Sequence, residues 1–281
     1  MYQYRFLFAT MIALLLSSSA EAQLWKKWLK KAESVNVMSI QDDIALGKQV
    51  KEQIASDPAK YPMLPEQGNE KIYTYIRGLT SKILNNGNVE HRNDFEWDVH
   101  IIKDDKTLNA FCTPGGHIYV YSALIKFLDS EDQLVGVLGH EIAHAAKRHS
   151  TSQLTKMYGI QGLAAIITAA ATTKSTTAQQ KQYEDQIAGM AAQLAALKFS
   201  RNHETEADEY SVRYLCGTEY NAAGSAGFFK KMEGRANPPE FLSTHPNPGN
   251  RIQAITKNQQ LLGCSGNATN AGLYNDMKKL L

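Results

Sequence analysis

The run His140-Glu141-Ile142-Ala143-His144 has residue types and a spacing that could do chemistry. On a helix, residues four apart lie on one face. Two imidazoles so placed can bind one Zn²⁺ at about 2.0–2.1 Å each. Glu141, one step round the helix, can take a proton from water bound to that ion. Leu134, Val137, Leu138 and Ile142 give the segment an apolar face, as a buried helix requires.

A catalytic zinc takes three protein ligands and keeps one position open, so a third ligand must come from elsewhere. A further histidine on the same helix would fall at position 150, with glycine at 147; the chain has Ser150 and Lys147 there. His149 comes one residue early and would point about 140° away from His144 on a continuing helix. It reads as a polar cap or packing residue near the helix end. The better source is Ser200-Arg201-Asn202-His203-Glu204-Thr205-Glu206-Ala207-Asp208. Glu204 and Asp208 share a helical face, so one can ligate zinc while the other, a turn away, orients a ligating histidine. Glu206 points elsewhere. Taken alone, this run reads as a solvated charged helix; the paired histidines give it a metal to bind.

The elements that must position these groups are mostly helices. Residues 39–56 carry apolar Ile40, Ile44, Leu46, Val50 and Ile54 at helical spacing, and 69–84 form a second amphipathic helix before Asn85-Asn86-Gly87. Residues 95–102 alternate like a strand. Two further short strands, 107–112 and 118–121, flank Thr113-Pro114-Gly115-Gly116-His117, a tight-turn signal. Ser130 and Gln133 form a capping-box pattern for a helix that runs through the histidine pair to about Arg148. Residues 158–171 are apolar but too short to span a bilayer comfortably, and suit a buried or re-entrant helix. A helix over 179–200 continues into one over 201–215. Helices at 221–233 and 252–262 bracket a proline-bearing loop, 235–250. The expected fold class is α+β, mostly α-helical, with a small sheet beside the helix that carries the histidines.

Length, composition and charge bound the rest. The chain has 281 residues, 43% hydrophobic and 21% charged, with a net charge of +2. It can bury a core, shows no sign of disorder or multiple spans, and has no global basicity pointing to nucleic acid. Residues 1–22 hold Arg5, an apolar run and Ala20-Glu21-Ala22, the order of a cleaved export signal. Residues 23–38 set Leu24, Trp25, Trp28 and Leu29 opposite Lys26, Lys27, Lys30 and Lys31. Such a helix packs its Trp face on the domain or makes peripheral membrane contact through Trp25 and Trp28. The main domain spans 39–262, and 263–281 is a weakly patterned tail. Export makes an oxidising compartment plausible, where Cys216 and Cys264 could pair and leave Cys112 single. Three small buried apolar side chains are the other reading.

His140-Glu141-Ile142-Ala143-His144, followed some sixty residues later by the Glu204 run, resembles the HtpX, LoiP and BepA type of zinc metallopeptidase. That group includes the CAAX prenyl protease and the mitochondrial Oma proteases. Asn109-Ala110-Phe111 with Pro114-Gly115-Gly116 is similar to the family's strand before the active helix. Ser243-Thr244-His245-Pro246 with Arg251-Ile252 is similar to its later segment. The likeness covers roughly residues 40–262 and departs at Cys112, where a small apolar residue is more usual. It implies a zincin-like metallopeptidase domain with one Zn²⁺ per chain, held by His140, His144 and Glu204. Glu141 would be the base and Asp208 the orienting carboxylate.

Amide hydrolysis follows, with zinc polarising the carbonyl and Glu141 moving the proton. His245 and Arg251 are candidate partners for the oxyanion, or anchors of their loop; His245 could instead cap the open zinc position at rest. The strand at Asn109, Ala110 and Phe111 could add an extended peptide. The expected substrates are unfolded or damaged polypeptides in the periplasm. An envelope-assembly chaperone with secondary proteolysis and a zinc amidase on a non-protein substrate are the alternatives. The Ala-rich insert between His144 and Glu204 is expected to cover part of the cleft. Deleting residues 159–177 should widen cleavage to folded proteins.

Overall fold

A computed structural model describes residues 36–171, 177–233, 240–246 and 249–281. The expected export signal and the Trp25/Trp28 segment lie outside the described residues. Residues Met38–Leu281 make one unit.

Its first helix, α1 (Ile40–Ser56), starts at a reciprocal cap: Ser39 Oγ accepts from Asp42 N–H and Asp42 accepts from Ser39 N–H. Leu46, Val50 and Ile54 recur at four-residue spacing and are buried. Helix α2 (Glu70–Asn86) buries Ile72, Ile76, Leu79 and Ile83 in the same way. Strands β1 (Val99–Ile102), β2 (Ala110–Thr113) and β3 (His117–Tyr121) then form a sheet in the order β1-β3-β2. The expected hairpin is β2–β3, antiparallel about the Pro114–Gly116 turn, where Gly115 and Gly116 take positive φ of 80° and 87°. β1 runs parallel to β3, which leaves β2 on an edge.

Helix α3 (Ser122–Phe127) leads to α4 (Glu131–Ala146), the histidine-bearing helix. Its start differs from the expected capping box. Ser130 Oγ donates instead to Asp132, and Gln133 accepts from the Asp129 N–H. Its end also comes early, because Arg148 adopts a left-handed φ of 57°. That turn aims the Arg148 guanidinium at buried Asp43 and at the carbonyls of Met38 and Ser39, tying α4 to α1.

A new helix, α5 (His149–Ala171), begins there and kinks at Gly159; α6 (Thr177–Ala195) returns. The second motif sits on α7 (Arg201–Leu215), which is separate from α6 rather than continuous with it. Residues 196–200 lie outside both helices, and Ser200 caps α7, accepting from His203 N–H. Then come α8 (Gly224–Met232), a short α9 (Glu240–Thr244) inside the expected loop, and α10 (Arg251–Leu262). The stretch after Gly263 carries α11 (Ala271–Lys278), whose Tyr274 is fully buried and donates to the Ile125 carbonyl.

Two apolar clusters hold these elements. The larger gathers α2, α4, α7, α8 and α10 against the face of the sheet that bears Ala110, Cys112, Ile118 and Val120. The smaller sets Phe111 and Tyr119, on the opposite face, against α1 and against Leu154, Leu163, Ile187, Met190 and Leu194 of α5 and α6. Alternation along β2 thus sends Cys112 toward α4 and Phe111 toward the α5–α6 pair. On α4, Gly136 and Gly139 admit close neighbours: a Cβ on Gly136 would meet Ser225 N at 2.3 Å, and one on Gly139 would meet Ser211 Oγ at 2.8 Å. Cys216 and Cys264 form a disulfide, and Cys112 is free and buried.

Candidate metal centre

Helix α4 brings His140, Glu141 and His144 inward, α7 presents Glu204 and Asp208, His245 follows α9, and Arg251 opens α10. All are buried, and Glu141, His144, Glu204 and His245 show no accessible surface. His140 Nε2 lies 3.0 Å from His144 Nε2 and 3.4 Å from Glu204 Oε2. His144 Nε2 lies 3.2 Å from Glu204 Oε1. His245 Nδ1 completes the group, 3.3 Å from His140 Nε2 and 3.1 Å from Glu204 Oε1. Four donors held about 2.1 Å from a tetrahedral ion stand about 3.4 Å apart. The observed edges match that figure, and imidazole nitrogen with carboxylate oxygen is a zinc donor set. These four residues could therefore hold a metal ion.

The carboxylates behind them set the charge. Arg251 donates to both oxygens of Asp208 at 2.7 and 2.8 Å, and its Nη2 lies 2.9 Å from Glu204 Oε2. Asp208 Oδ1 in turn lies 3.0 Å from His140 Nδ1. Burial pushes the Glu204 carboxyl up, but His245, Arg251 and the imidazoles of His140 and His144 outweigh it and hold it well below the ordinary range. Burial and Arg251 pull His140 down, yet Asp208 and Glu204 prevail and raise it to about 9. Burial keeps His144 well below its ordinary value. A ligating imidazole must be neutral, so metal binding near neutral pH would expel a proton from His140. Burial also pushes the Glu141 carboxyl up, against the pull of His245 and His140. Glu141 Oε1 is 3.6 Å from His245 Nε2.

Every metal-site and catalytic residue expected from the sequence thus comes together here. Arg251 is turned to Asp208 and Glu204, a geometry suited to holding the carboxylates. Just before β2, the Asn109 carbonyl accepts from the Tyr121 backbone N–H, and the Asn109 side chain accepts from Ala110 N–H. By the alternation of an antiparallel ladder, the Ala110 and Cys112 backbones face away from β3. The Leu108 carbonyl accepts from Phe241 N–H, which ties α9 to the start of this strand.

Two aromatic groups were not legible as site residues. Phe199 stacks on His144 at 3.9 Å between centroids. His149 is corrected from a residue facing away: its Nδ1 lies 2.9 Å from His144 Nδ1. The 140° reckoning assumed one helix, and the left-handed turn at Arg148 breaks it. A second polar group, Glu96, Asp98 and His117, already contains a cation, since Lys51 donates to Glu96 at 2.6 Å and to Asp98 at 2.8 Å.

Similar proteins are named as a protease and a metalloendopeptidase. The beta-barrel assembly-enhancing protease of Yersinia pestis is 29% identical over 226 residues, covering 76% of this chain and 43% of that protein. The mitochondrial metalloendopeptidase OMA1 of Schizosaccharomyces pombe is 30% identical over 185 residues, 64% of this chain and 51% of that one. The beta-barrel assembly-enhancing protease of Escherichia coli (strain K12) is 29% identical over 196 residues, 66% of this chain and 38% of that one. The chain spans about half or less of the length of these curated relatives. The model of peptidase family M48 matches residues 71–259, a span that contains the whole group from His140 to Arg251, and the chain belongs to that family.

Proposed function

We propose that this protein is an exported, zinc-dependent endopeptidase that cleaves unfolded or damaged polypeptides in the cell envelope. The observation that carries the proposal is the convergence of His140, His144 and Glu204 at tetrahedral spacing, with the buried Glu141 carboxylate beside them. One zinc per chain, held by His140, His144 and Glu204, would lower the pKa of its water and polarise the scissile carbonyl. Glu141 accepts the proton and passes it to the leaving amine. Asp208 orients His140, and Arg251 holds Asp208 and Glu204 in place. The substrate adds as a strand along the Asn109, Ala110 and Phe111 stretch, bonding to the outward-facing backbone groups of Ala110 and Cys112 at the outer edge of β2, with backbone bonds that tolerate many sequences.

His245 stands at the fourth vertex, so it caps the resting site and leaves when substrate enters. Its withdrawal would free it to meet the oxyanion. The closed site, with α5 and α6 over the Phe111 face of β2, fits a substrate that arrives as an extended chain. Export is supported by the leader-like residues 1–22 and by the Cys216–Cys264 disulfide, which an oxidising compartment preserves. Among the described residues no helix is long and apolar enough to cross a membrane. Relatives named for β-barrel assembly support an envelope role. The complete burial of Glu141 favours one second reading, an assembly factor whose proteolysis is secondary.

Metal analysis of the purified protein with a casein digest tests both. Cleavage should require about one zinc per chain and stop with chelator. Glu141→Gln should keep the zinc and lose cleavage by roughly a hundredfold to ten-thousandfold, as loss of a general base implies. Cleavage by a Glu141→Gln or metal-free protein would overturn the endopeptidase proposal. Survival of an envelope-assembly phenotype in Glu141→Gln cells would favour the second reading.

A further inference from the structure

The two histidines of the metal centre are backed differently. His140 has a carboxylate behind it, Asp208 at 3.0 Å from its Nδ1. Among the described residues, His144 has no carboxylate there. Its Nδ1 faces His149 Nδ1 at 2.9 Å, and the two rings meet edge to face, 76° apart. On its far side, His149 Nε2 lies 3.4 Å from Glu206 Oε2. We propose that His149 is a positioning residue for His144, the middle of a hydrogen-bonded chain from His144 through His149 to Glu206. The proposal rests on the zinc reading above.

The proton order follows from ligation. A neutral imidazole that offers its Nε2 lone pair to a metal carries its proton on Nδ1. His144 Nδ1–H then needs an acceptor, and at 2.9 Å two N–H groups cannot face each other. His149 must therefore accept through Nδ1 and carry its own proton on Nε2, the nitrogen that faces Glu206. One tautomer thus satisfies all three groups, and it fixes the His144 ring about its axis. Orienting bonds of this kind commonly govern how tightly a metal is held. A neutral imidazole fixes orientation without placing a full negative charge behind the ligand, as Asp208 does for His140. His144 should therefore be the less basic of the two ligands.

The surroundings hold His149 where this needs it. The residue is 3% exposed and stacks on His203, centroids 4.4 Å apart and planes 13° apart. It is the first residue of α5, just after the left-handed Arg148. That residue is anchored by Asp43 and by two carbonyls at the start of α1. The backbone that delivers His149 to the metal centre is thus fixed from outside it.

The test compares wild type with His149→Leu, which fills similar space without an acceptor, and His149→Asn, whose Oδ1 falls near the lost Nδ1. Zinc affinity is read by competition with a chelating dye, and ligand geometry by the visible absorption of the cobalt(II)-loaded protein. Leu should weaken zinc by roughly 10–100-fold and shift the cobalt bands, and Asn should restore most of both. Leu within twofold of wild type with unchanged cobalt bands would overturn the proposal. So would equal losses in Leu and Asn, which would mean packing alone. Should Leu not fold, cobalt-loaded wild type decides by its hyperfine-shifted proton spectrum. Two ligand-ring N–H signals protected from exchange are expected, and protection of one alone refutes the chain. A wild type that binds no zinc would sink the zinc reading itself, which none of the variant outcomes does.

Discussion

Replacing Arg251 with Met should expose how the carboxylates of this site are held. Arg251 is 1% exposed and serves two buried carboxylates of α7: two hydrogen bonds to Asp208 and a 2.9 Å contact to Glu204. Met fills much of the volume over Phe229, where the guanidinium lies 3.9 Å from the ring centroid, so the packing change is small. The loss of charge is not small. Removing one partner of a buried pair costs about 3–5 kcal/mol, because the other charge is left uncompensated. For a domain of this size that is roughly 6–20 °C in Tm. Zinc changes the sum in a specific way. Bound as proposed, its charge would fall on Glu204 but not on Asp208, so saturating zinc should recover about half of the loss. Urea unfolding of both proteins in chelator and in saturating zinc, compared at equal saturation, measures this. A loss under about 1 kcal/mol in chelator would refute the reasoning, as would a loss that zinc leaves unchanged.

Other perturbations probe the rest of the site and its frame. His245→Ala should open the fourth metal position and raise the rate of casein cleavage several-fold at unchanged zinc content; a fall in rate would make His245 an oxyanion partner first. Replacing Cys216 and Cys264 with Ser should cost about 4 kcal/mol in urea unfolding, the loop-closure value for a sequence separation of 48, and reduction of the wild type should match it. Asp98 feels burial, which raises its carboxyl, but bonds from His100, His117 and Lys51 hold it well below the ordinary range. Its contribution is therefore present above about pH 3.9 and lost as the pH falls toward its lowered folded value. Asp98→Asn should be less stable at pH 7 and show a shallower loss of stability in acid, measured by unfolding between about pH 7 and 2.

The centre of the site was readable because its logic is local. His140 and His144 share a helix face by spacing alone, and Glu204 and Asp208 do the same one motif later. The β2–β3 hairpin was equally readable, since Thr113-Pro114-Gly115-Gly116-His117 specifies its own turn. Local pattern misled where tertiary partners compete. Ser130 left its capping box for Asp132, and the run from 179 to 215 broke over 196–200, ahead of the Ser200 cap.

What the chain alone determined is the donor set and its spacing, because helical periodicity places side chains without knowledge of the fold. Which donors meet, and from which side, was decided in three dimensions. Arg148 turns left-handed because Asp43, more than a hundred residues away, receives its guanidinium. That one backbone reversal swings His149 back onto His144, where no rule of local periodicity would have put it. His245 likewise reaches the fourth vertex through α9, whose Phe241 is bonded to Leu108 and whose Thr244 is bonded to Phe199. Contacts so distant in sequence form only once the core has closed around them.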